Sequence, residues 1–161
     1  MSISVVMGVS GSGKTSVAAR LAERTGGVWL DADDFHSPEN RAKMAAGIPL
    51  TDADREPWLD TLNATLRRHA QRDPRPLFLA CSALRLVYRE RLAAGLPAVR
   101  FIYLKGSRDL LRARLEARLG HFMPAALLES QLATLEEPTG ALVADISQPL
   151  DSLVDELLPK L

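Results

Sequence analysis

Residues 8 to 15 read Gly8-Val9-Ser10-Gly11-Ser12-Gly13-Lys14-Thr15, a G-x-x-x-x-G-K motif closed by a hydroxyl residue. Glycines at that spacing let the backbone curl so that successive N–H groups point inward at phosphate oxygens, while a following helix adds the positive end of its dipole. Lys14 then reaches the β and γ phosphates of a nucleoside triphosphate, and the Thr15 hydroxyl stands where it can hold Mg²⁺. The context fits. The apolar run Ile3-Ser4-Val5-Val6-Met7 precedes the loop, and Val17, Ala18 and Leu21 recur at helical spacing behind it, with Gly26-Gly27 as the helix stop. An ordinary glycine-rich turn would require neither flank.

A second group of chemical residues closes the next apolar run, in Trp29-Leu30-Asp31-Ala32-Asp33-Asp34-Phe35-His36. In a strand, Asp31 and Asp33 project to the same side, beside the phosphate loop. One such carboxylate can order Mg²⁺ through its water shell while the other accepts a proton from an acceptor hydroxyl. The plainer alternative is an acidic strand-to-helix turn with Asp34 or Ser37 as N-cap. A third group is basic: Arg112, Arg114 and Arg118 lie on a helix expected from about 107 to 119, with Arg114 and Arg118 on one face. Asp109 and Glu116 could balance them as a solvated face.

The elements that must position these groups alternate. Strands are expected near 3–7, 28–31, 77–81, 99–104 and 142–146, separated by helical segments, which predicts an α/β fold with a parallel sheet covered on both faces. Ligands should gather at the carboxyl ends of those strands. Pro57, with Thr51, Asp52 and Asp54 before it, marks entry into a helix from about 57 to 72 whose Leu59, Leu62 and Leu66 form a core stripe.

A chain of 161 residues with 47% hydrophobic content is expected to be a single domain over 1–161, with no separate substrate domain. Twenty basic against twenty acidic residues give no net charge, which speaks against nucleic acid or an anionic membrane as principal partner. The lone Cys81 forms no internal disulfide, the N-terminus lacks a basic leader, and no apolar run reaches the roughly 18 residues of a membrane span, so a cytoplasmic location is expected. The N-K-x-D and D-x-x-G motifs of guanine-nucleotide switches are absent, as is the hhhh-D-E strand of transport and motor ATPases. What remains is a small phosphotransferase with ATP as donor.

A resemblance sharpens this. Met7 to Thr15, Leu30-Asp31-Ala32-Asp33 with His36 and Asn40, Lys43 to Leu50, Asp52-Ala53-Asp54-Arg55-Glu56-Pro57-Trp58-Leu59, Cys81-Ser82-Ala83-Leu84 with Tyr88-Arg89, Phe101 to Gly106, and Gly120-His121-Phe122-Met123 resemble, in order, segments of the bacterial thermoresistant gluconokinase family. The D-R-x-P-W and C-S-A-L segments discriminate best. That family is similar in fold to shikimate and nucleoside monophosphate kinases, which implies a P-loop kinase fold: a five-stranded parallel sheet, helices on both faces and a small helical lid at about 114–132. It implies transfer of the γ-phosphoryl group of ATP, with Mg²⁺, to the 6-hydroxyl of D-gluconate, giving 6-phospho-D-gluconate and ADP.

By the same resemblance, Asp33 is the base or orienter of the acceptor hydroxyl and Asp31 lies near the metal, while Arg118, then Arg114, close from the lid onto the phosphates. A polyol with one carboxylate needs a cation and several hydroxyl partners. Arg55 and Arg89 are the candidate cations, and His36, Lys43, Ser82, Ala83 and His121 the candidate hydroxyl or phosphate contacts. Each has a structural alternative. Arg55 could pair with Asp52 or Asp54, Arg89 with Glu90 or Asp60; His36 could be a capping or surface residue, Lys43 solvated, Ser82 a strand-end hydrogen bonder and Trp58 a packing residue. The Asp145-Ile146-Ser147-Gln148-Pro149 stretch resembles the loop that borders adenine, which nominates Gln148 and Pro149 as ATP contacts; otherwise it is a turn capped by Ser147. A homodimer is suggested by the family alone. The competing functions are a related kinase such as shikimate kinase, which normally has a glycine-rich third-strand end in place of Cys81 to Leu84, and a nucleotide-dependent regulatory module without turnover.

Overall fold

The structure, a computed structural model, describes residues 2–119 and 125–161. His121 and its neighbours at 120–124 lie outside the described residues. Five strands, β1 (Ile3–Met7), β2 (Val28–Asp31), β3 (Leu77–Ala80), β4 (Arg100–Lys105) and β5 (Leu142–Asp145), form one parallel sheet in the order β2-β3-β1-β4-β5. The expected strands therefore stand, each within one or two residues. The order reverses at β1, and the phosphate loop leaves its carboxyl end, the switch point where open α/β sheets bind ligands.

Alternation along the central strands divides the core into two layers. Val6, Phe78, Ala80, Ile102 and Leu104 face helices α1 (Lys14–Thr25) and α7 (Leu150–Leu157), meeting Val17, Leu21, Leu153 and Val154. Ile3, Val5, Met7, Leu77, Leu79 and Tyr103 point the other way, to α3 (Asp52–Arg72) and α4 (Leu86–Ala93), meeting Leu59, Leu62, Leu66 and Leu92. The edge strands have only one neighbour each and leave Trp29 and Val143 exposed. Three further α-helices stand among the described residues: α2 (Pro38–Ala45), α5 (Arg108–Leu119) and α6 (Ala125–Thr134). No helix among the described residues is long and apolar enough to cross a membrane.

One boundary differs from expectation. Helix α3 begins at Asp52, not at Pro57: the Thr51 hydroxyl accepts from the Asp54 N–H at 3.1 Å while the Asp54 carboxylate accepts from the Thr51 N–H at 2.9 Å, a reciprocal capping box. Pro57 sits inside the helix as its sixth residue, where it cannot supply the N–H that the Ala53 carbonyl would accept. The earlier start carries Arg55 into helical geometry and fixes its direction.

Candidate active site

Loop residues Gly11 and Gly13 have φ of +85° and +92°, a left-handed conformation that L side chains rarely adopt. At Gly11 a Cβ would also lie 2.8 Å from Leu115 Cγ, so the loop can pack against α5 only without a side chain there. Gly13 is the N-cap of α1 and has no side chain with which to cap it, which leaves the first N–H groups of that helix to a ligand. Ser10, Gly11, Gly13, Lys14 and Thr15 line a cavity of about 1130 Å³. Gly8, Val9 and Ser12 shape the loop from behind: Gly8 N–H donates to Ser82 O at 3.3 Å, and Val9 O accepts from the Ser12 N–H and, at 3.2 Å, from Lys14 Nζ. Burial holds the Lys14 ammonium below its ordinary pKa, and the strongest opposing charge is the Asp33 carboxylate.

Strand β2 ends at Asp31, and residues 32–35 turn into a 3₁₀ helix. The strand argument that put Asp31 and Asp33 on one side therefore fails, because Asp33 is not in the strand. The turn brings both to the cavity by another route: Asp31 Oδ1 accepts the Asp33 N–H at 2.9 Å, and both residues line the wall. The capping alternative also holds in part, with Ser37 rather than Asp34 as the cap, its Oγ accepting from the Asn40 N–H at 3.1 Å. His36 is buried against Trp58, rings stacked with centroids 4.3 Å apart, and Trp58 Nε1 donates to Ala32 O at 2.8 Å. Desolvation lowers the His36 pKa, so the ring is neutral at pH 7 and suits a hydroxyl better than a carboxylate. The cation at this end is Arg55, whose Nη1 donates to the Tyr88 hydroxyl at 3.2 Å and lies 3.9 Å from Asp52. Its surface pairing and its place on the cavity wall coexist.

A family model described as an AAA domain matches residues 3–138. The thermoresistant gluconokinase of Escherichia coli is 46% identical over 94% of this chain and 89% of its own length. The gluconokinase of Gluconobacter oxydans is 49% identical over 83% of this chain and 75% of its own. A crystal structure of a gluconokinase from Sinorhizobium meliloti superposes with a TM-score of 0.88 at 44% identity, covering 98% of this chain and 90% of that one. The chain belongs to the gluconokinase family, within the AAA-domain group.

Among the gluconokinase residues nominated from sequence, Lys14, Thr15, Asp31, Asp33, His36, Arg55, Ser82, Ala83, Arg114 and Arg118 all line the one cavity. Besides Gly8, Val9 and Ser12, which lie behind the loop, four described ones do not. Arg89 is buried, donating from Nη1 to Ala83 O at 2.7 Å and from Nη2 to Glu136 O at 2.9 Å, so it supports the wall from within. Neither of its suggested ion pairs forms, and Asp60 is held by Arg91 at 2.7 Å instead. Lys43 Nζ is committed to Asp54 at 2.9 Å, bracing α2 against the start of α3. Gln148 donates to Glu156 at 2.9 Å, and Pro149 is the N-cap of α7. Ser147 caps nothing there; its N–H donates to Asp145 Oδ1 at 2.9 Å. Arg114, by contrast, reaches that loop by donating to Ile146 O.

The Arg89 brace explains an unusual backbone. Ala83 has φ of +46°, uncommon for a residue with a Cβ, and its carbonyl is the group that Arg89 holds. Replacing Arg89 by alanine leaves two carbonyls without a charged donor in a buried site. It is expected to lower stability by about 3 kcal/mol, read as a lower urea midpoint at unchanged slope. A midpoint equal to the parent's would show that the brace is dispensable. Cys81 is core, as expected: fully buried, with its thiol pushed up to about 12 by desolvation.

Sequence reasoning missed three residues here. Arg85 lies over the Tyr88 ring, as Arg55 does, with guanidinium carbons 5.6 and 5.5 Å from the ring centroid, and donates to Asp52 at 2.7 Å. Glu136 accepts the Leu86 N–H at 3.1 Å through its side chain, and its own N–H donates to Leu84 O at 2.8 Å. Gln131 reaches the phosphate loop from α6. All three connect segments distant in sequence, and no local pattern marks such partners.

Proposed function

We propose that this chain is an ATP-dependent gluconate kinase, transferring the γ-phosphoryl group of ATP to the 6-hydroxyl of D-gluconate and releasing 6-phospho-D-gluconate and ADP. The observation that carries the reading is one cavity with the phosphate loop on one wall and Asp33, His36 and Arg55 on another, in a chain 46% identical to a thermoresistant gluconokinase. Loop N–H groups and Lys14 hold the phosphates; Asp33 orients the acceptor hydroxyl and takes its proton; Arg55 holds the substrate carboxylate and His36 a hydroxyl. Thr15 and Asp31 are hard oxygen donors on the wall beside Lys14 and fit Mg²⁺, which keeps several waters and takes one or two protein oxygens with the phosphates. That ion, when bound, neutralises charge developing on the β and γ oxygens.

The discriminating measurement is ATP consumption across gluconate, shikimate, nucleoside monophosphates and other aldonates. Gluconate is expected to exceed shikimate and the nucleotides by at least about 10²-fold in kcat/KM, because a site built around a carboxylate and several hydroxyls leaves buried polar groups unpaired with the wrong acceptor. Preference for shikimate overturns the substrate, and nucleotide binding with no transfer to any acceptor favours the regulatory module. Arg118, on the cavity wall at the end of α5, tests the closing step. Arg118→Ala is expected to lower kcat by about 10²-fold while the gluconate KM changes little, since the guanidinium acts on transition-state charge. An unchanged kcat returns it to a solvated basic face.

A further inference from the structure

Helix α6 reaches the phosphate loop through Gln131. Its Oε1 accepts the main-chain N–H of Ser10 at 2.7 Å, and its Nε2 donates to Ser10 Oγ at 2.9 Å, across 121 positions of sequence. The orientation is dictated, since a backbone N–H can only donate and must meet the amide oxygen. Both residues line the cavity together with Lys14, Asp33 and Arg118. A phosphate loop works by offering N–H groups to phosphate oxygens, and here one of them is taken by an uncharged acceptor. A phosphate oxygen forms a charge-assisted hydrogen bond about twice as strong as a neutral one, so it displaces the carboxamide.

The other attachments of α6 join protein groups to one another, while Leu127, Ser130 and Thr134 line the cavity beside Gln131. Glu129 pairs with Arg108 at 2.7 Å on α5, Leu128 is in the core, and the exit at Glu136 is tied to Leu84 and Arg89. Gln131 is the attachment that a ligand can exchange. Ser10 and Gln131 share the cavity with Asp33 and Arg118, the two residues proposed above to act on the transferable phosphate. We infer that Gln131 is a positioning residue that responds to the terminal phosphate: it holds Ser10 as the structure shows, yields that N–H when ATP binds, and turns its NH₂ to the terminal phosphate, drawing α6 against the loaded loop. ADP, lacking that phosphate, leaves the Gln131–Ser10 pair in place.

Calorimetric dissociation constants for ADP and for a non-hydrolysable ATP analogue separate this role from a merely structural one. Gln131→Glu keeps an acceptor for the Ser10 N–H but puts a charge where the NH₂ donor was. It is expected to weaken the ATP analogue about tenfold or more through like-charge repulsion while ADP binding stays within about twofold. Gln131→Ala, which needs no charge tolerance, is expected to lower kcat about tenfold or more with ADP affinity unchanged. Equal weakening of both nucleotides in the Glu variant, or a kcat within about twofold of the parent in the Ala variant, overturns the inference; should the Glu variant not fold, the Ala variant decides alone. The inference rests on the phosphate loop being the ATP site, which the parent tests separately. A parent that binds no ATP analogue defeats that reading, whereas a parent that binds it with variants that keep its ATP-to-ADP ratio and its kcat defeats only the role of Gln131.

Discussion

Replacing Lys14 by alanine is expected to lower gluconate phosphorylation by at least about 10³-fold while the folded protein melts within a few degrees of the parent. The two halves of that expectation have different origins. Lys14 belongs to neither core layer, and its ammonium makes a 3.2 Å hydrogen bond to Val9 O. Burial already disfavours its charge, as the lowered pKa shows, so removing the side chain relieves desolvation as well as losing a bond. Activity has no such compensation. Phosphoryl transfer leaves little covalent work to the protein and depends on positive charge held where the transferring oxygens gain negative charge. Coupled-assay turnover and a thermal melt on the same preparation check both halves. Near-parental turnover in a folded variant would remove the phosphate loop from the mechanism.

The phosphate loop was legible because its chemistry is local: glycines, lysine and hydroxyl are fixed by consecutive backbone geometry, and Ile3 to Met7 reads as a buried strand from its own residues. The strands were legible for the same reason, since central strands buried on both faces are apolar throughout. Local rules in competition were harder to weigh. At the start of α3 the sequence reading takes Pro57 as the entry, with Thr51, Asp52 and Asp54 just before it, yet the capping box of Thr51 and Asp54 satisfies two orphan donors and starts the helix at Asp52, with Pro57 carried inside. At Asp33 the two-residue period of a strand was carried past the strand's end, and a 3₁₀ turn delivered the same residue to the same wall. Arg89 was beyond local reasoning. Whether an arginine faces a ligand or a buried carbonyl depends on what the fold brings beside it, and for Arg89 the Glu136 carbonyl comes from 47 positions away in sequence. The same holds for Arg85, Glu136 and Gln131, whose partners lie in other elements.

Asp33→Asn is the sharpest test of the acceptor side. The substitution keeps the shape of the side chain, and the Asp33 main-chain N–H that Asp31 accepts at 2.9 Å is untouched, so the turn should survive. What disappears is a carboxylate that faces Lys14 across the cavity and can take the hydroxyl proton as the phosphoryl group moves. Loss of a positioned general base typically costs about 10²–10⁴-fold. The lower part of that range is expected here, because loose phosphoryl-transfer transition states ask more for alignment than for proton removal. ATP·Mg²⁺ binding should persist, since Lys14, Thr15 and the loop N–H groups remain; Lys14, losing its strongest opposing carboxylate, should become somewhat easier to deprotonate. Single-turnover rates with gluconate, set beside ATP affinity, separate the two effects. If the asparagine variant phosphorylates gluconate as fast as the parent, the acceptor residue is Asp31, the other carboxylate on that wall, rather than Asp34, whose main-chain carbonyl is held by Arg41 and which does not line the cavity.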